Sequence, residues 1–337
     1  MKTIHMLFAA ILAGTLLVPA VARAAVTGPC VDCHTMHNSQ DGARFPGAPE
    51  DDPKGHLTIK GCIGCHIGTG VTGAPIIDGQ YNVDSTAGGT FKDGGAGGVV
   101  SDAGVHNVNV EGLLPTLGED DALTAVIPGL TGGMNLGKGS SDPQDLTCAG
   151  KSGCHGDATQ ADNDSGIRGF HHGGKTGYRY LQIADTQAAV AGKGAVDWEK
   201  AISSSATGAG GEHNIYSSST TVGINKLCAN CHPNFHATAN TQVGTNWVRH
   251  PTDNTIPGAG DGWAATVNYR ENPFAFADIS TLAPGTAYTT TNAQVACISC
   301  HRAHGTPYDD ILRWDYSAQS AGSGIQAGCL GCHNKQR

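Results

Sequence analysis

Twelve cysteines fall in six pairs, and a histidine follows the second member of every pair: Cys30/Cys33-His34, Cys62/Cys65-His66, Cys148/Cys154-His155, Cys228/Cys231-His232, Cys297/Cys300-His301 and Cys329/Cys332-His333. Histidine makes up about one residue in twenty of the chain. Six such adjacencies would arise by chance on the order of 10⁻⁸ of the time, so the pattern has a chemical purpose. A thiol pair beside an imidazole can form a disulfide, hold zinc, or bond covalently to a cofactor. Disulfides suit an exported chain but require no histidine. Zinc ribbons use paired Cys-x-x-Cys, yet six histidines in fixed register would be surplus ligands. Cys-x-x-Cys-His is the attachment run of c-type haem: the thiols add across the two vinyl groups of one porphyrin, and the adjacent imidazole reaches the iron. The spacing therefore predicts six haem c groups, with the six histidines as proximal ligands.

The third run, "CAGKSGCH", places five residues between its cysteines where the others place two. Glycine at 150 and 153 would let the longer loop fold back, so that both sulfurs reach one porphyrin. The alternative leaves Cys148 free and Cys154 as a lone thioether. Double attachment is favoured, because a free exposed thiol is a liability outside the cell.

An iron with one axial ligand can act on substrates, whereas one with two mostly passes electrons. Beyond residue 24 only Met36 and Met134 remain, too few to serve six irons. His37, His56, His106, His171, His172, His213, His236, His250 and His304 all lie outside the runs. Nine candidates for six positions predict bis-histidine ligation, which is low-spin and suited to electron transfer. His37 and His304 stand three residues beyond a proximal histidine, and His236 four beyond. On a helical turn such offsets share a face, so none can cross its own porphyrin, and each would serve a second haem. His250 lies in "RHPT", where proline fixes the backbone and Arg249 could pair with a propionate. His106 and His213 sit in polar-apolar stretches along a haem edge. Of the adjacent His171 and His172, one is expected to face an iron. His56 is expected at the surface.

The elements that position these residues read as short. Only 19 residues are aromatic (Phe 7, Trp 4, Tyr 8), while glycine reaches 49. Such a chain struggles to offset its conformational entropy through its own side chains. A porphyrin buries more apolar area than the ~150–250 Å² of a large aromatic residue, so six stacked haems can form the core. The expected fold is a multihaem cytochrome c, mostly coil with short helices and few short strands. "GGTFKDGGAGG" (88–98) and "SSSATGAGGE" (203–212) read as loops, and "YLQIADTQAAVAG" (180–192) as the best helix. No fixed-period repeat accompanies the haem runs.

Lys2, an apolar run over 6–18 and Ala22-Arg23-Ala24 read as a signal peptide over 1–24, with 25–337 as one hexahaem unit. No later stretch is long and apolar enough to span a bilayer. Removing Lys2 and Arg23 takes the net charge from −9 to −11. With no basic run, nucleic acid is excluded as a partner; an acidic surface fits solubility and cationic electron carriers.

"CHTMHNS", "LCANCH…FH", "WVRHPTD", "CISCHRAHG" and the terminal "CLGCHNK" together resemble the OmcS-type hexahaem cytochromes of metal-reducing bacteria. The likeness covers 30–39 and much of 228–333 in motif order, and is weaker over 67–210. It implies an extracellular or cell-surface protein that polymerises into filaments carrying electrons along a continuous haem chain to extracellular acceptors or other redox proteins. It also implies that His37 ligates a haem of the neighbouring subunit, while His236, His250 and His304 are distal ligands within the chain. Two other readings compete with the filament. One is a monomeric periplasmic shuttle, with His37 serving its own chain. The other is an oxyanion reductase with one five-coordinate haem.

Overall fold

A Cys-x-x-Cys-His run is suited to closing one helical turn. Its cysteines, three apart, fall on one face, and the histidine N–H can reach the carbonyl of the first cysteine. The computed structural model describes residues 29–30, 33–34, 39–40, 43–44, 57–58, 62–66, 75–77, 87–91, 104–106, 108, 146–173, 175, 177–194, 213–236, 242–243, 247–256, 272–284, 286, 288, 292–319 and 328–333. Five of the six runs close this bond: His34 to Cys30 at 2.8 Å, His66 to Cys62 at 3.1 Å, His232 to Cys228 at 2.9 Å, His301 to Cys297 at 3.0 Å and His333 to Cys329 at 2.8 Å. In the first run the Cys33 N–H donates to the same Cys30 carbonyl at 3.1 Å, so one acceptor holds both Cys33 and His34 in the turn. Among the described residues the helices are accordingly short. They are α1 (Cys62–Cys65), α2 (Asn163–Gly166), α3 (Ile224–Ala229) and α4 (Cys329–Cys332), and the fifth run forms a 3-10 turn, Cys297–Ser299.

The third run folds differently. Strand β3 (Thr147–Ala149) leads through a tight loop into β4 (Gly153–His155), and the two pair in parallel, Thr147 with Gly153 and Ala149 with His155. So short a parallel connection needs a sharp reversal. Gly150 supplies it with φ +85°, and a Cβ there would lie 2.7 Å from the Asp162 carbonyl oxygen. The longer loop thus returns Cys154 beside Cys148.

Residues 180–192 do not form the expected helix. Ile183 N–H donates to the Ala188 carbonyl and Val190 N–H to the Leu181 carbonyl across a turn, making an irregular hairpin. Leu181 and Ile183 are buried while Gln182 is only partly so. That alternation with period two outweighed the helix-favouring composition of the segment.

Hairpins β1 (Ser39–Gln40) with β2 (Ala43–Arg44) and β7 (Gln242–Val243) with β8 (Trp247–Val248) stand apart from the main sheet. That sheet has the order β10-β9-β6-β5, from β5 (Gly192–Lys193), β6 (Ile215–Ser217), β9 (Ala275–Phe276) and β10 (Ala293–Gln294). The β6/β9 pair is parallel and the outer pairs antiparallel. It supports two side-chain cores. Tyr178, Leu181, Ile183, Val190, Tyr216, Ile224 and Ile298 pack in one, while Ile215, Phe274, Phe276, Tyr288 and Val295 pack in the other. The chain therefore owns more apolar core than its composition suggested, because its few aromatic residues concentrate around one sheet. Ile224 and Ile298, which belong to the fourth and fifth attachment turns, anchor those turns to it. No described helix is long and apolar enough to cross a membrane.

Candidate functional site

Ten histidines meet in five ring pairs of nearly constant separation. The centroids of His34 and His172 lie 6.0 Å apart, His66 and His171 6.5 Å, His155 and His304 6.3 Å, His232 and His106 6.2 Å, and His333 and His250 6.2 Å. Rings in van der Waals contact would stand closer. An imidazole nitrogen lies ~2.0 Å from a transition metal, with its ring centroid roughly 1.2 Å behind it. Two imidazoles on opposite sides of one iron therefore have centroids about 6.4 Å apart. Every pair joins one histidine that follows a cysteine pair to one that does not. The residues present fit a metal held between two axial imidazoles.

Hydrogen bonds orient these rings. Nδ1 of His66 lies 2.8 Å from the Pro75 carbonyl oxygen, that of His155 2.9 Å from Arg179 and that of His106 2.6 Å from Ala303. Nδ1 of His301 lies 2.8 Å from the Asp310 carbonyl, and that of His250 3.0 Å from Pro251. A carbonyl can only accept, so each Nδ1 carries the proton and each Nε2 keeps its lone pair for a metal. Arg179 and Asp310 present their carbonyls from left-handed backbone, at φ 52° and 58°. Non-glycine residues adopt that region at a cost, and here it aims an acceptor at a proximal histidine. His304 takes a different support. Its ring stacks on Phe91 at 5.4 Å and packs so closely on Gly88 that a Cβ there would lie 2.8 Å from Nδ1.

Burial favours the neutral form of seven of these imidazoles. It is the leading cause that holds His66, His106, His155, His301 and His333 below the usual histidine value, and it takes His171 to about 4 and His304 to about 3. A neutral ring is the form that coordinates.

Among the described residues no disulfide joins the cysteines expected to bond in pairs to six porphyrins: Cys30 and Cys33, Cys62 and Cys65, Cys148 and Cys154, Cys228 and Cys231, Cys297 and Cys300, Cys329 and Cys332. In the first pair Cys30 is exposed and Cys33 half-buried. Their backbone bond, from the Cys33 N–H to the Cys30 carbonyl at 3.1 Å, holds the two together as the expected attachment pair. Burial pushes Cys154 and Cys300 up to about 12 and Cys332 to about 11.

The six runs stand next to one another in chain order. The adjacent His171 and His172 face the second and first runs respectively. Cys62 of the second hydrogen-bonds Cys148 of the third. Cys154 of the third lies within electrostatic reach of Cys228 and Cys231 of the fourth, and Cys228 hydrogen-bonds Cys297 of the fifth. Cys300 of the fifth senses Cys329 and Cys332 of the sixth.

Several expectations about single residues change. His171 and His172 were expected to divide into one iron-facing ring and one idle ring, but both face a proximal histidine. Neighbouring side chains diverge enough to serve two sites. His213 is buried with Nδ1 2.8 Å from the Asn214 carbonyl and Nε2 2.9 Å from that of Thr286, and it stacks on Tyr288 at 4.6 Å. Set between these two carbonyls, either of which its ring N–H can reach, it packs into the second apolar core instead of meeting another described imidazole. His236 places Nε2 2.7 Å from Asp253 Oδ2, and Asn225 donates to the other carboxylate oxygen at 2.6 Å. Arg249 donates to the Asn234 carbonyl at 2.9 Å. Among the described residues no ring stands opposite His301, and His37 and His56 lie outside those residues, as does the segment 1–24. Sequence reasoning missed Gly88, Phe91 and the carbonyl acceptors, which carry no spacing signal of their own.

A family model for the doubled CXXCH motif matches residues 291–337, which span the last two runs. The chain is 26% identical to the C-type cytochrome OmcS of Geobacter sulfurreducens, over 85% of this chain and 78% of that protein. Among solved structures it is similar to the OmcS nanowires of Geobacter sulfurreducens determined by cryo-EM. Identity there is 21%, coverage 89% of this chain and 86% of the other, and the TM-score 0.48. A second structure, the outer membrane cytochrome S filament of the same organism, gives 22%, 87%, 85% and 0.41. The sequence relative and the doubled motif bear out the resemblance to OmcS-type cytochromes.

Proposed function

We propose that this chain is a hexahaem electron-transfer protein and the subunit of an extracellular filament. The observation that carries the reading is the set of five imidazole pairs, each spaced for one iron and each joining a Cys-x-x-Cys-His histidine to a remote one. In this reading the distal ligands of haems one to four are His172, His171, His304 and His106, and that of haem six is His250. His213 and His236 are left out, because their ring nitrogens are engaged elsewhere. Cys30 and Cys33 form the two thioethers of the first haem, supported by the turn that the Cys33 and His34 N–H groups close on Cys30. Cys148 and Cys154 both form thioethers as well, supported by the β3–β4 arch that returns one beside the other.

Bound haem supplies reversible one-electron chemistry at iron. The protein's part would be to aim the Nε2 atoms of these imidazoles and to keep the attachment turns side by side. Two nitrogen ligands per iron leave no coordination position for a substrate, which supports electron transfer over catalysis. Neighbouring runs in chain order would give electrons a single row to follow.

The fifth haem, on His301, takes its distal ligand from His37. By the resemblance to OmcS-type cytochromes, that His37 belongs to the next subunit, so the coordination bond doubles as the assembly bond. His37→Ala tests this. The variant should keep six covalent haems by mass spectrometry, lose filaments in electron micrographs and gain one high-spin haem. Filaments of normal length would contradict the assembly role. A wild-type protein that is monomeric with all haems low-spin would favour the periplasmic shuttle. One that is high-spin at rest and turns over nitrite or hydroxylamine would favour the reductase.

A further inference from the structure

The five imidazole pairs share a separation but not an orientation. Their planes are 19° apart for His34/His172, between 41° and 45° for the three middle pairs, and 72° for His250/His333. The ring at the extreme value, His250, makes a local contact. His250 directs Nδ1 at the carbonyl of the very next residue, 3.0 Å away, and that residue is Pro251. The proline ring fixes φ and so restricts where that carbonyl can point. The middle pairs tie Nδ1 to carbonyls far along the chain at Pro75, Arg179 and Ala303.

Ring planes matter to a low-spin iron. Each imidazole has a filled π orbital normal to its ring, which raises the iron d orbital it overlaps. Parallel rings raise the same d orbital. The ferric hole then occupies that orbital, which stabilises the ferric state. Perpendicular rings raise one orbital each and leave the two nearly degenerate. Ferric iron then loses that stabilisation, so the haem takes up an electron more readily, and its g-tensor becomes strongly anisotropic.

We propose that the Pro251 carbonyl is a positioning contact that holds His250 across the plane of His333. The sixth haem is thereby set apart, electronically and in potential, from the first. The assignment rests on the bis-histidine reading above. Outer contacts that orient an axial ligand are a recognised lever on a metal's properties. With haem bound, an electron reaching the sixth site would come from a reduced haem held at the fifth run, one oxidised as the other is reduced, with no proton or bond change required.

Electron paramagnetic resonance of the fully oxidised holoprotein tests the proposal. It should show one haem equivalent of six with a markedly larger maximum g value than the rest. His250→Ala should remove that component and produce one high-spin haem, while His172→Ala should remove a rhombic component and leave it. Pro251→Gly, which frees the carbonyl, should lower the maximum g value of that component and the potential of one haem, with six haems retained. Pro251→Ala should give a smaller shift in the same direction. Absence of the large-g component from the wild type would overturn the proposal even if Pro251→Gly fails to fold. So would an unchanged component in a folded Pro251→Gly. If His250→Ala produces no high-spin haem, the ligand assignment itself fails, an outcome distinct from either of these.

Discussion

His171 and His304 show how much an imidazole's surroundings decide. Burial first, and neighbouring imidazoles after it, hold them at about 4 and about 3, against ~6.5 for a free histidine. Between pH 6.5 and those values the unfolded chain binds protons that the folded chain does not. Stability must therefore fall as pH falls through that window, and coordination to iron acts in the same direction. Thermal unfolding of the holoprotein, followed by circular dichroism from pH 7 to pH 4, should give a steadily decreasing midpoint. A flat or rising midpoint would contradict neutral, buried imidazoles. At this scale the six Cys/Cys-His runs stood out in the sequence, because thioether chemistry would demand its residues side by side. The histidines outside the runs were legible as a pool of candidates and not as ring pairs. His304 meets His155 only after the intervening chain has folded, and no local spacing records that encounter.

At the scale of elements, the third attachment arch is the departure that the structure accounts for best. Its cysteines lie on two parallel strands joined through Gly150, whose positive φ and contact with the Asp162 carbonyl leave no room for a side chain. Gly150→Ala should cost about 1–3 kcal/mol from the left-handed conformation alone, with more from the 2.7 Å clash. The expected result is a lower melting temperature and incomplete haem on the 148–155 peptide, read by mass spectrometry. A variant as stable and as fully loaded as wild type would refute the strained arch. The glycines of "CAGKSGCH" announced this turn in the sequence. The hairpin over 180–192 was hidden, because the alternation of Leu181 and Ile183 spans too few residues to outweigh the alanine-rich tail. The main sheet was hidden for a similar reason. Its strands are two or three residues long and come from segments far apart in sequence.

Across the whole molecule, chain order and spatial order of the attachment runs coincide, from the His171/His172 step to the Cys300/Cys332 neighbourhood. A row of sites in sequence order needs only short links between neighbours, which fits a chain of coil and single turns. It also leaves the first and last runs at the two ends of the row. The count of attachment runs was legible from the spacing of cysteine and histidine, whereas their order in space required knowing which segments meet. Cryo-EM of the purified holoprotein addresses the central claim directly. We expect six porphyrins in sequence order, with His172, His171, His304, His106 and His250 as distal ligands of the first, second, third, fourth and sixth irons. An iron among these five that is five-coordinate, or is bound by His213 or His236 instead, would contradict it.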